Sequence, residues 1–273
     1  MKIQSTTNNF CNFKAGMSKK VLSEISHVDC SKIEKKLLEE NCINADFANN
    51  KIIAWSVAKV VELLSEMQAK YKRPFFTPIQ IKTEALIKYG KEEDKNISYG
   101  FTNFLPKLFD KTTNEITPGM SIIFNKDFPW EKLDEISDMD FAKKQTATNH
   151  FLESFLHEFF HIIHEGHILS KYPADEAALK ITDLASSNKI NFFQKNYGEL
   201  ISADICNYAQ ESPFDLIACD MSKRFISSLD EQNKLTKNPF AKSPYSSFYA
   251  FIKLLKKENQ LEDLVYNIYN GQL

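Results

Sequence analysis

Glycine is scarce in this chain: there are seven in 273 residues, and none is arranged as GxGxxG or GxxxxGK[ST]. Without such a loop the backbone cannot wrap a pyrophosphate at a helix start, so the usual device of dinucleotide and P-loop phosphate binding is missing. Cysteine is also sparse. The five present, Cys11, Cys30, Cys42, Cys206 and Cys219, are odd in number, widely spread and form no CxxC pair, which argues against a disulfide framework and for a reducing compartment. Charge of one sign is lacking too: Lys+Arg 34 against Asp+Glu 36 gives a net charge of -2, leaving no overall field to gather nucleic acid or an anionic membrane. No apolar run approaches the ~20 residues needed to span a bilayer, and the opening MKIQSTTNNFCNFKAG is polar, unlike a cleavable leader. The expectation is a cytoplasmic protein that binds neither nucleic acid nor membrane, with secretion by a route needing no cleavable signal left open. Its oligomeric state is unspecified.

What is present suffices for a core: 43% of residues are hydrophobic and 26% charged, an ordinary globular balance. Residues 1–17 read as a disordered tail. Val21 to Ile25 and Ile33 to Leu38 suggest short amphipathic helices. Asn49 or Asn50 can cap a longer one in which Ile53, Val57, Val60, Val61 and Leu64 recur at helical spacing up to Pro74. Three strands are then expected, at Ile79 to Thr83, Tyr99 to Phe104 and Met120 to Asn125. Gly90 with the charged run 91–96, and the stretch DKTTNEITPG at 110–119, separate them as turns. The remainder reads as helical: one helix begins between Asp140 and Asn149 and runs to about Glu165 with Gly166 as its C-terminal cap, and others cover 174–185, 213–229 and 246–268. The expected fold is α+β, one domain over 18–273. It comprises an N-terminal helical extension (18–73), a part holding the sheet and a histidine-bearing helix (74–167) and a helical C-terminal part (168–273).

Four of the six histidines fall between positions 150 and 164. At about 100° per residue, His150, His157, His161 and His164 share one stripe about 60° wide. His157 and His161, at i and i+4, can direct both imidazoles at one ion with the ~2.0–2.1 Å bonds of zinc to nitrogen. Glu158 is rotated about 100° from His157, so it can reach a water on such an ion without filling a coordination position. Zinc lowers the pKa of bound water to ~7, and a carboxylate general base can then take the proton as the oxygen attacks a carbonyl. The apolar neighbours Phe155, Leu156, Phe159, Phe160, Ile162 and Ile163 should bury the helix everywhere except at its histidine face.

The HEFFH segment, His157 to His161, after a strand-like stretch, resembles the active-site helix of the zincin metallopeptidases, over about residues 79–225. The resemblance implies a zincin-like fold, with a small three- to four-stranded mixed sheet packed on the active-site helix. It also implies a zinc-dependent metallopeptidase that hydrolyses protein or peptide substrates through a metal-activated water, with His157 and His161 on Zn2+ and Glu158 as base. It further places Met120 to Asn125 as the sheet edge that pairs with extended substrate.

A third protein ligand is needed. Residues Tyr208 to Asp220, YAQESPFDLIACD, resemble the Tyr…Pro-x-Glu-x-x-Ala stretch of small bacterial and phage zincins, with Asp215 in the Glu position and Ser212 able to cap the helix. Asp215 is the favoured ligand, and the same segment also reads as an S-x-x-D capping box. Glu211, just upstream, His167, at metzincin-like spacing from His161, and Glu176, in YPADEAAL, are the alternatives. Tyr208, Tyr197 and Tyr172 are candidate donors to a developing oxyanion. Two other functional readings stand beside peptidase: a catalytically inactive zinc-binding regulatory or interaction protein, and a toxin-like effector protease with one protein target.

Overall fold

A computed structural model describes residues 17–71, 78–90, 98–111, 113–184 and 187–239. The expected tail, save Met17, and the expected helix at 246–268 lie outside the described residues. Among those described, eight α-helices and four strands run in the order α1 Lys19–Ser26, α2 Cys30–Asn41, β1 Ile43–Asp46, α3 Lys51–Tyr71, β2 Ile79–Glu84, β3 Gly100–Asp110, β4 Glu115–Asn125, α4 Leu133–Ala142, α5 Glu153–Lys171, α6 Ala174–Leu184, α7 Ser187–Asp204 and α8 Pro213–Ile226. The class is α+β.

The α3 helix forms as its pattern demands. Asn50 Oδ1 accepts the backbone N–H of Ile52 and of Ile53 at 3.1 and 3.0 Å, satisfying two of the donors a helix start leaves open. Ile53, Val57, Val60 and Leu64 are completely buried, so the apolar stripe is the face laid on the core. The described part of the expected N-terminal extension, residues 18–71, thus belongs to that core and also supplies a strand. β1, missed by the sequence reading, is four residues long with only its first buried, too short for a period-2 signal.

The sheet order is β1-β2-β4-β3, with β1, β2 and β4 parallel and β3 antiparallel to β4. This corrects the expectation for Met120 to Asn125. That segment lies between β2 and β3, and Met120, Ile122 and Phe124 are fully buried. Every residue from Met120 to Asn125 is buried, on both faces of the sheet, as expected of an interior strand, and the edge beside it is β3. Gly100 opens β3 because a Cβ there would sit 2.5 Å from the Ile123 carbonyl oxygen. A register shift between Leu105 and Leu108 spans Pro106, a residue that edge strands tolerate because its missing N–H costs no ladder bond. The expected turn at 110–119 shrinks to Lys111–Asn114, with Asn114 at φ 61°, and Glu115 to Gly119 pair as strand.

α5 starts at Glu153, later than expected, and runs through Gly166 to Lys171. Residues 143–152 are instead turns, tied down by the Glu153 carboxylate, which accepts the N–H of Ala147 at 2.7 Å and of Thr148 at 2.6 Å. His150 therefore precedes the helix and leaves the stripe. Its Nε2 lies 3.0 Å from Asn233 Oδ1, its Nδ1 accepts the Leu152 N–H, and burial lowers its pKa to about 4. The helix α4 was not anticipated, and α7 falls in the part expected to be helical, without separate bounds of its own. α5 packs on α8 and reaches β3 and β4, with Phe155, Leu156, Phe159 and Ile162 fully buried. No described helix is long and apolar enough to cross a membrane.

Candidate metal centre

His157 and His161 project from successive turns of α5 with their Nε2 atoms 2.9 Å apart. Asp215, in the first turn of α8, places Oδ1 3.6 Å from the first Nε2 and 3.5 Å from the second. The packing of α8 against α5 creates this triangle. Ser212 sets the carboxylate. Its Oγ accepts the Asp215 N–H at 3.1 Å, capping α8, and its hydroxyl donates to Asp215 Oδ2 at 2.5 Å. Oδ1 is thereby left to face the imidazoles, so the capping and ligand readings of this segment are compatible.

The three donors fit a small divalent ion. Sides of 2.9, 3.5 and 3.6 Å define a circle of radius about 1.9 Å, just under the ~2.0–2.2 Å that zinc requires of His nitrogen and carboxylate oxygen. The cluster is the one potential metal-holding group among the described residues. The side chains of His157, His161 and Asp215 are 11, 12 and 16% exposed, so the open side of the triangle is within reach of solvent. Two nitrogens and one oxygen suit zinc by hardness and number.

The electrostatics follow from this closeness. Burial alone would push the His161 pKa down. The hydrogen bond and charge of Asp215, helped by Glu158 and Glu165, outweigh burial and raise it to about 9. Burial pushes Asp215 up, but bonding to both imidazoles wins and holds its carboxyl well below the usual range. His161 and Asp215 are therefore an ion pair, protonated imidazole against carboxylate, 3.5 Å apart.

Glu158 is 8% exposed. The Thr102 hydroxyl in β3 lies 2.7 Å from its Oε2 and 3.2 Å from its main-chain oxygen. Tyr208 occupies the 3-10 turn Tyr208–Gln210 with its ring centroid 5.4 Å from that of His157. Burial first, and then the charges of Asp215 and Glu158, push its phenol far up, so it remains a proton donor.

The other candidates lie elsewhere. Glu211 is exposed at the end of that turn and Glu176 is exposed in the first turn of α6. His167 belongs to α5, but its side chain and that of Tyr197 lie outside the described residues. Tyr172 caps α5 and sits under the Lys180 ammonium, 4.3 Å from its ring centre. His164 is buried with its ring centroid 4.8 Å from that of Phe214.

Three residues of the site were missed. Thr102 is 56 positions from Glu158 and carries no signal in the chain. Glu165 was legible, one turn beyond His161; burial, opposed by His161 and reinforced by Glu158 and Asp215, raises its pKa to about 7. Cys219 was legible as well, one turn beyond Asp215, and its Sγ lies 3.6 Å from His157 Nδ1. Comparison of the chain with known family models, curated proteins and solved structures gives no match.

Proposed function

We propose that this protein is a zinc-dependent peptidase of zincin type, with His157, His161 and Asp215 as metal ligands and Glu158 as general base. The observation that carries the reading is the triangle of two nitrogens and one oxygen with a carboxylate, Glu158, next to it and outside the ligand set. A zinc ion held there would supply a polarised carbonyl and an acidified water. The protein's own groups do the rest. Glu158, with Oε2 steered by Thr102, takes the proton of the attacking water and returns it to the leaving amine. Tyr208, whose phenol burial and then the nearby carboxylates keep protonated, would donate to the developing oxyanion. β3 is the sheet's edge next to the base, so an extended peptide can add to it by main-chain bonds.

The experiment is metal analysis with peptide cleavage. The purified chain should hold one zinc. Glu158→Gln should keep the zinc while hydrolysis of a quenched peptide mixture falls by a factor on the order of 10³ or more. A protein that takes up no zinc at neutral pH sinks the metal reading. A zinc-loaded protein without hydrolytic activity would favour a non-catalytic regulatory or interaction role.

A further inference from the structure

A cysteine lies against the candidate centre. Cys219 is 2% exposed on α8, with Sγ 3.6 Å from Nδ1 of His157. Because Nε2 of His157 faces His161 and Asp215, a neutral ring that offers Nε2 to a metal ion there must carry its proton on Nδ1, and the Cys219 sulfur is the acceptor within reach of it.

We propose that Cys219 is a positioning residue that fixes the tautomer and angle of the His157 ring. Sulfur is a weak acceptor, so the effect is one of alignment more than of charge. It nonetheless matters in a dry core, where an Nδ1–H with no acceptor would carry its full desolvation cost. The inference rests on the reading of His157 as a ligand, but the tautomer itself can be observed without metal.

The test uses the full chain with Cys219→Ala and Cys219→Ser. Long-range proton–nitrogen correlation spectra of the imidazoles, recorded at mildly alkaline pH with and without zinc, report the tautomer. Chelator competition reports zinc affinity. Wild type and C219S should carry the His157 proton on Nδ1. C219A should lose that signature and about 10–100-fold in zinc affinity. A wild-type His157 protonated on Nε2 overturns the proposal even if C219A does not fold, and so does a C219A protein that binds zinc like wild type. Wild type that takes no zinc but shows the Nδ1 proton would instead fail the metal reading alone.

Discussion

The hydroxyl of Thr102, on the edge strand, meets the carboxylate of Glu158, on the histidine helix, at 2.7 Å. One oxygen of the candidate base is thus held by the strand that would receive substrate. A hydrogen bond to a charged group is worth about 1.5–3 kcal/mol, and only part of that is expected in the barrier. Thr102→Val should lower kcat by roughly tenfold, equivalent to about 1.4 kcal/mol, with zinc content and KM little changed. Steady-state kinetics on the zinc-loaded variant checks this, and an unchanged kcat would remove Thr102 from the mechanism.

Asp215 opposes burial at His161. In Asp215→Ala burial is opposed only by the charges of Glu158 and Glu165, so the His161 pKa should fall well below about 9. Zinc affinity should drop by a factor on the order of 100 or more as a ligand is lost. Imidazole titration by NMR and chelator competition give both numbers. A His161 still titrating near 9 would mean that another group holds its proton.

Ser212 serves α8 and the centre together. Ser212→Ala should cost about 1 kcal/mol of stability from the lost cap, and roughly tenfold in zinc affinity from the freed carboxylate. Urea unfolding and metal competition separate the two effects.

Without metal, stability should peak in mildly acidic solution. The raised pKa of His161 means that its contribution is complete below 6.5 and is lost as pH climbs through about 9. Glu153 and Glu165, pushed up by burial from 4.5 to about 7, act in the same sense between those values. Asp215 is held low, so its contribution is present above 3.8 and is lost as pH falls through its depressed pKa. In EDTA the melting temperature should decline from about pH 5 to about 9. Zinc requires neutral imidazoles, so the gain from adding it should grow over the same range. Thermal melts in both conditions test this, and a flat profile in EDTA contradicts it.

Much of the candidate site could be read along the chain because helical periodicity is local. His157, Glu158 and His161 sit within five residues, and α5 carries them as the i, i+4 rule requires. Ser212 and Asp215 were likewise legible as a capping pair. Boundaries were less so. α5 was expected to begin earlier, because nothing in residues 143–152 announces that the Glu153 carboxylate will bind the Ala147 and Thr148 amides. The zincin resemblance implies the sheet edge for Met120 to Asn125, and the residues themselves do not decide it, since a mostly apolar strand reads the same whether one neighbour or two will pair with it.

The sequence by itself determined the helix that carries the two histidines and the glutamate, the capped start of α8 and the apolar stripe of α3. Each depends on spacings of three or four residues, and helix geometry converts these into a common face. Only the tertiary structure decided that Asp215, rather than Glu211 or Glu176, meets both imidazoles, that β3 is the edge and holds Glu158 through Thr102, and that Cys219 stands behind His157. Those relations join residues roughly 50 to 60 positions apart. They are fixed by how closely α8 and the sheet pack on α5, a property of the assembled core that no short stretch of the chain encodes.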